Sequence, residues 1–138
     1  MQVIIADANT EVVTALRLVL AEKDQYYIIG EARDAVNLFS LLTHNCPDVV
    51  VLDADLPGLI TKRKSQRPTL TELVETMRLL CPSISILAVS SWPDAEKGCL
   101  QANVNAFACK SDPPETLLAK LEAMNKPQYD KRGNYQIF

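Results

Sequence analysis

Between Asp48 and Gly58 the chain reads Asp48-Val-Val-Val-Leu-Asp53-Ala-Asp55-Leu-Pro57-Gly58, and no other stretch limits the available folds as strongly. Val49 to Leu52 are four apolar residues in a row, three of them β-branched, with no alternation. A strand with one wet face alternates, whereas a run like this needs both faces covered, as in a parallel sheet with helices on each side. Leu56-Pro57-Gly58 ends it, the proline fixing φ and the glycine admitting a positive φ. The strand therefore delivers the Asp53 carboxylate to its C-terminal end, where open α/β sheets place their chemistry.

The flanking sequence supplies the other layers. Val3 to Ala6 is a short apolar run ending at Asp7, and Asn9 or Thr10 then caps a helix to about Glu22 with a stripe of Val12, Val13, Leu16, Val19 and Leu20. Tyr26 to Ala32 reads as a second strand, and Asp34 caps a helix whose Val36, Leu38, Phe39, Leu41 and Leu42 run toward Cys46-Pro47. After Gly58 the pattern breaks. Residues 59–69 carry Lys62, Arg63, Lys64 and Arg67 without an acid, which reads as an exposed basic loop, either a solvated insert or a docking surface for an acidic partner, or for nucleic acid that a partner brings. A helix from about Leu70 to Leu80, a strand from Ile84 to Val89 ending at Ser90, and a helix from Pro93 to Ala102 follow. A strand from Ala106 to Cys109 then ends at Lys110, and Pro113-Pro114 starts a last helix to about Met124. Five strands alternating with five helices call for a doubly wound α/β fold, since each right-handed crossover covers a face of the sheet. We expect one domain over residues 1–125, with 126–138 as a tail that packs on it or a linker.

With 48% hydrophobic and 22% charged residues the chain has the composition of a single globular domain, and its net charge of −3 gives no global reason to expect nucleic acid or anionic lipid as a partner. No apolar run reaches membrane-spanning length, and no basic leader precedes the first strand, so the cytoplasm is the expected location. Cys46, Cys81, Cys99 and Cys109 form no C-x-x-C pair and have one histidine, His44, in the whole sequence to join them, so zinc is not expected. All four read as reduced core thiols.

The residues closing four of the strands are Asp7, Asp53, Ser90 and Lys110, and a parallel sheet must bring them to one edge. Two carboxylates can hold Mg²⁺, a hydroxyl can donate to a phosphoryl oxygen, and an ammonium can neutralise the same group. Singly, each could be a helix cap or a solvated side chain; together in strand order they describe a phosphoryl site on Asp53. An ammonium at Lys110 is expected to favour the ionised form of the acids beside it.

Over roughly residues 2–125 the chain resembles the receiver domain of two-component response regulators, a flavodoxin-like sandwich with strand order 2-1-3-4-5. Val3-Ile-Ile-Ala-Asp7-Ala8-Asn9 is similar to the family's first strand and acidic pair, and Val49 to Gly58 to its phosphoacceptor strand. Ala88-Val-Ser90-Ser91 stands where the family has its conformational hydroxyl, and Ala106-Phe107-Ala-Cys-Lys110-Ser-Asp-Pro-Pro-Glu115 where it has its switch aromatic and lysine. The resemblance implies that Asp53 accepts a phosphoryl group from a sensor histidine kinase, that Ser90 and Lys110 bond it, and that Phe107 turns inward. It also implies a metal held by Asp7, Asp53 and the main-chain carbonyl of Asp55. Gly30-Glu-Ala with Lys110 to Glu115 is most like receivers of helix-turn-helix (LuxR/NarL-type) regulators, which implies a C-terminal DNA-binding domain in a longer protein, transcription regulation as output and a homodimer.

Three positions depart from that pattern: Ala8 replaces the second acid of the pair, residues 59–69 are inserted beside the site, and Ser91 adds bulk where a phosphodonor enters. Loss of the acid at residue 8 predicts weak or absent Mg²⁺. It also keeps open an unphosphorylated pseudo-receiver acting as a protein-interaction module. A D-x-D phosphatase is a further alternative on the spacing of Asp53 and Asp55, although such enzymes carry that pair on the first strand. Flavin binding is disfavoured because Asp7 and Glu11 would flank the phosphate. No conventional enzyme turnover is expected.

Overall fold

In a computed structural model, which describes residues 1–58 and 69–124 and the backbone of 128–129 and 135–136, strands β1 (Gln2–Ala6), β2 (Tyr27–Ala32), β3 (Val49–Asp53), β4 (Ser85–Ser90) and β5 (Ala106–Cys109) form one parallel sheet. Its order is β2-β1-β3-β4-β5, as expected, and Ala6 pairs with Ala32 on one side and Leu52 on the other. Every residue of β3 is buried, which is what its unalternating sequence requires. The expected basic loop at 59–69 lies outside the described residues except for Thr69, and the 126–138 segment is described at Gln128–Tyr129 and Tyr135–Gln136, which pair antiparallel.

Helices cover both faces. Leu16 and Leu20 of α1 (Thr10–Ala21) and Leu121 of α5 (Pro114–Met124) pack with Val3, Ile5, Val51 and Val89 on one side. On the other, α2 (Ala35–His44), α3 (Leu70–Leu80) and α4 (Glu96–Gln101) pack Leu38, Leu42, Leu73, Met77 and Cys99 against Ile4, Val50, Leu52, Ile86 and Ala88. Each fully buried leucine or valine here contributes roughly 1.5–3 kcal/mol. Asn9 caps α1 by accepting the Glu11 and Val12 N–H groups, Asp34 caps α2, and Thr69 with Glu72 forms a capping box on α3. The helix expected over 93–102 is divided: Pro93–Ala95 is a 3-10 turn, and α4 proper starts at Glu96.

Two sequence expectations are corrected. Val36 is 73% exposed rather than part of the α2 stripe, and Ala35 is buried in its place. The Ala35 N–H donates to the Pro57 carbonyl, and Gly58, at φ +95°, leaves only 3.2 Å between a notional Cβ of its own and that of Ala35. The turn behind the Asp53 strand thus rests on α2, and a side chain at 58 would crowd Ala35. Cys46 and Cys81 are not reduced thiols: they form a disulfide with Cα atoms 5.6 Å apart. They precede β3 and β4, whose neighbouring starts the Ser85 N–H ties together by donating to the Asp48 carbonyl, so the sheet brings together two cysteines far apart in sequence. Cys99 and Cys109 are free, the first buried and the second partly so.

Candidate functional site

The C-terminal edge of the sheet gathers Asp7, Asp53, Ser90 and Lys110. β1 ends one residue before Asp7, whose N–H donates to the Ala32 carbonyl and fixes it beside β2. Asp53 closes β3 opposite Val89, so Ser90 lies one step further along β4, and the Lys110 N–H donates to the Ser90 carbonyl at 2.8 Å. Lys110 Nζ then stands 2.8 Å from Asp7 Oδ2 and 3.3 Å from Asp53 Oδ2, bridging the two acids. Asp7, Asp53 and Ser90 are 1%, 8% and 0% exposed, so these charges interact in a partly dry setting where pairing is strong.

Each carboxylate is held at one oxygen and open at the other. Asp7 Oδ1 accepts the Asn9 N–H at 2.9 Å, and Asp53 Oδ1 accepts the Asp55 N–H at 2.9 Å. The buried Asp7 Oδ2 faces the Lys110 ammonium at 2.8 Å as an ion pair. Burial pushes the Asp53 carboxyl above its ordinary 3.8, and the Asp7 charge adds to this; the Asp55 N–H and Lys110 pull it down without prevailing. Lys110 favours the ionised form of Asp53, as expected, but removing the carboxylate from water costs more than the ammonium returns. For Lys110 itself burial pulls the ammonium down from 10.5, but its bonds to and attraction by Asp7 and Asp53 outweigh that and raise it.

The other expected residues take definite places. Phe107 is buried, 5% exposed, within the α2–α3–α4 side of the core, so its ring already lies inward. Lys120 donates to the Phe107 carbonyl from α5. Ser90 Oγ accepts the Trp92 N–H at 3.1 Å, leaving its own proton to donate, and Trp92 is 65% exposed beside the site. The Asp55 side chain is exposed, and Ala8 is exposed in the cleft beside Asp7. Arg33 was absent from the strand-end reading: it directly follows β2, and extending the same rule to the fifth strand would have found it.

A family model described as the response regulator receiver domain matches residues 3–122. The chain belongs to that family. It is 26% identical over 123 residues to the uncharacterized transcriptional regulatory protein YhcZ of Bacillus subtilis (strain 168), covering 86% of this chain and 52% of that protein. It is 25% identical over 130 residues to the oxygen regulatory protein NreC of Staphylococcus carnosus (strain TM300), covering 90% and 54%. The chain therefore spans about half the length of the curated relatives it matches. A structure of RcsB from Salmonella enterica serovar Typhimurium, bound to promoter rprA in the presence of the phosphomimetic BeF3⁻, is similar with a TM-score of 0.76 and 25% identity, covering 91% of this chain and 99% of that one. This receiver domain of the two-component type thus has the fold and family its strand ends implied.

Receiver domains generally hold Mg²⁺ at this acidic pocket. The residues here fit that ion poorly. Two carboxylates converge rather than three, and Lys110 already spans them. Among the described residues no three Asp, Glu, His or Cys side chains gather closely enough to hold a metal.

Proposed function

We propose that this receiver domain accepts a phosphoryl group on Asp53 from a phosphohistidine of a sensor histidine kinase and passes the changed state to an output partner. The observation that carries the reading is Lys110 Nζ, held 2.8 Å from Asp7 and 3.3 Å from Asp53 at the buried edge of the sheet. Asp53 Oδ1 is engaged by the Asp55 N–H, which leaves Oδ2, on the Lys110 side, as the attacking oxygen. Lys110 neutralises the arriving charge, and the Ser90 hydroxyl, free to donate, bonds a phosphoryl oxygen. The Asp55 carbonyl and Asp7 would serve a metal, but with Ala8 in place of an acid we expect Mg²⁺ to bind weakly or not at all, since affinity follows the number of charged oxygen ligands.

The domain would occupy residues 1–125, with 126–138 leading toward a DNA-binding output domain in a longer protein. Transcription regulation in the cytoplasm is the corresponding role, pairing as a homodimer through α1 and α5 or through α4, β5 and α5. Among the described residues no helix is long and apolar enough to cross a membrane. The receiver acts once per phosphoryl group, without turnover of outside phosphate esters. Incubation with acetyl phosphate, followed by intact-protein mass measurement, is expected to show one added phosphoryl group in the wild type and none in Asp53→Asn. No gain in the wild type would leave a pseudo-receiver; steady release of phosphate from a generic monoester would instead indicate the phosphatase.

A further inference from the structure

In sheet order the five strand ends deliver Arg33, Asp7, Asp53, Ser90 and Lys110, so the two acids are flanked by a cation on each side. Lys110 is committed to the acids. Arg33 is not: among the described residues it forms no ion pair, and its Nη2 lies 3.4 Å from the Thr10 hydroxyl. Nearby Arg17 is already neutralised by Glu31. Arg33, Thr10 and Asn37 line a cleft of about 410 Å³ that also takes in Asp7, Ala8 and the paired Arg17 and Glu31. A carboxylate at residue 8 would add a negative charge to this cleft; alanine leaves that position uncharged.

The formal charge of Asp7, Asp53 and Lys110 together is −1, and a phosphodonor brings a dianion to it. We propose that the cleft over Ala8 is an anion subsite in which Arg33, assisted by Thr10 and Asn37, binds the oxygens of the phosphoryl group being transferred to Asp53. It would thereby supply the positive charge that a divalent ion supplies elsewhere in the family. β2 and β3 lie either side of β1, roughly 10 Å apart at two strand spacings. A guanidinium on a long flexible stem, swung inward over Ala8, closes most of that gap, and its planar fork suits phosphoryl oxygens. With acetyl phosphate, Asp53 Oδ2 bonds to phosphorus as the bond from phosphorus to the acetyl oxygen breaks. Acetate leaves with the electron pair and no proton moves. The new phosphoryl group then lies between Lys110 and Arg33.

The catalytic part of this inference rests on Asp53 as phosphoacceptor, whereas the binding part does not, so two measurements on the full chain are paired. Labelling by acetyl phosphate in EDTA is expected to proceed in the wild type, to fall about tenfold or more in Arg33→Ala, and to recover partly in Arg33→Lys. Adding Ala8→Asp to Arg33→Ala should restore labelling with Mg²⁺ but not in EDTA. Labelling that needs Mg²⁺ in the wild type, or that is unchanged in Arg33→Ala, overturns the proposal. Inorganic phosphate in EDTA, followed by Trp92 fluorescence, should titrate the wild type and lose about tenfold in affinity in Arg33→Ala. If no chain is labelled, the phosphoacceptor reading fails and this titration decides the subsite: weakened binding in Arg33→Ala supports it, and no binding or equal binding overturns it.

Discussion

Replacing Lys110 by methionine keeps most of its volume and removes its charge, leaving Asp7 and Asp53 facing each other without a counterion. Their side chains are 1% and 11% exposed and that of Lys110 16%, so solvent does little to screen the loss. Breaking a buried ion pair from one side costs about 3–5 kcal/mol; because one edge of this site is open, we expect about 3 kcal/mol at neutral pH. The pH dependence has a definite sign. Asp53 already titrates above its ordinary 3.8 in the folded protein, so between 3.8 and its folded value the native state binds more protons than the unfolded chain and stability falls as pH rises. Without Lys110 that rise in pKa grows, so the deficit of Lys110→Met is greatest at neutral pH and shrinks as pH falls through the raised range. Lys110 contributes in the opposite limb: its raised ammonium stabilises the wild type below 10.5, and the benefit is lost as pH rises through its folded value. Urea unfolding at a series of pH values measures both effects. Asp53→Asn in the Lys110→Met background should recover a large part of the loss. A deficit under 1 kcal/mol, or one independent of pH, would refute the electrostatic reasoning.

Three further outcomes follow from the fold. Cys46→Ser opens a loop of 35 residues, which in the chain-entropy treatment costs at most about 4 kcal/mol; reductant should lower the melting temperature of the wild type and leave the variant unchanged. Gly58→Ala meets φ +95° and Ala35 at 3.2 Å, so thermal unfolding should show a loss of roughly 1–2 kcal/mol, with slower labelling as the Asp53 turn shifts. Sedimentation over a concentration series should show a dimer of modest affinity, and a monomer throughout would remove the proposed pairing.

The features legible in the sequence were those set by local chemistry or by period. The unalternating Val49 to Leu52 run gave the buried central strand, and the strand ends gave the edge where Lys110 meets Asp7 and Asp53. Gly58 could be read as a positive-φ residue because Pro57 fixes the turn before it. What escaped depended on neighbours supplied by the fold. Ala35 displaces Val36 from the core because the Pro57-Gly58 turn lies against it, and nothing in the α2 periodicity announces that turn. Cys46 and Cys81 meet because β3 and β4 are adjacent, a pairing invisible to spacing rules for metal or redox motifs. The direction of the Asp53 shift turns on how deeply its carboxyl is buried, which a list of nearby charges does not contain.

The central claim is that Asp53 carries the phosphoryl group. After treatment with acetyl phosphate, borohydride reduction of the acyl phosphate and peptide mass mapping locate the modified residue directly. The account predicts conversion of Asp53 to homoserine in the wild type, with loss of that signal in Asp53→Asn and strong reduction in Lys110→Met. Modification at Asp7 or Asp55 instead, or an unmodified Asp53 in a folded wild type, would contradict it.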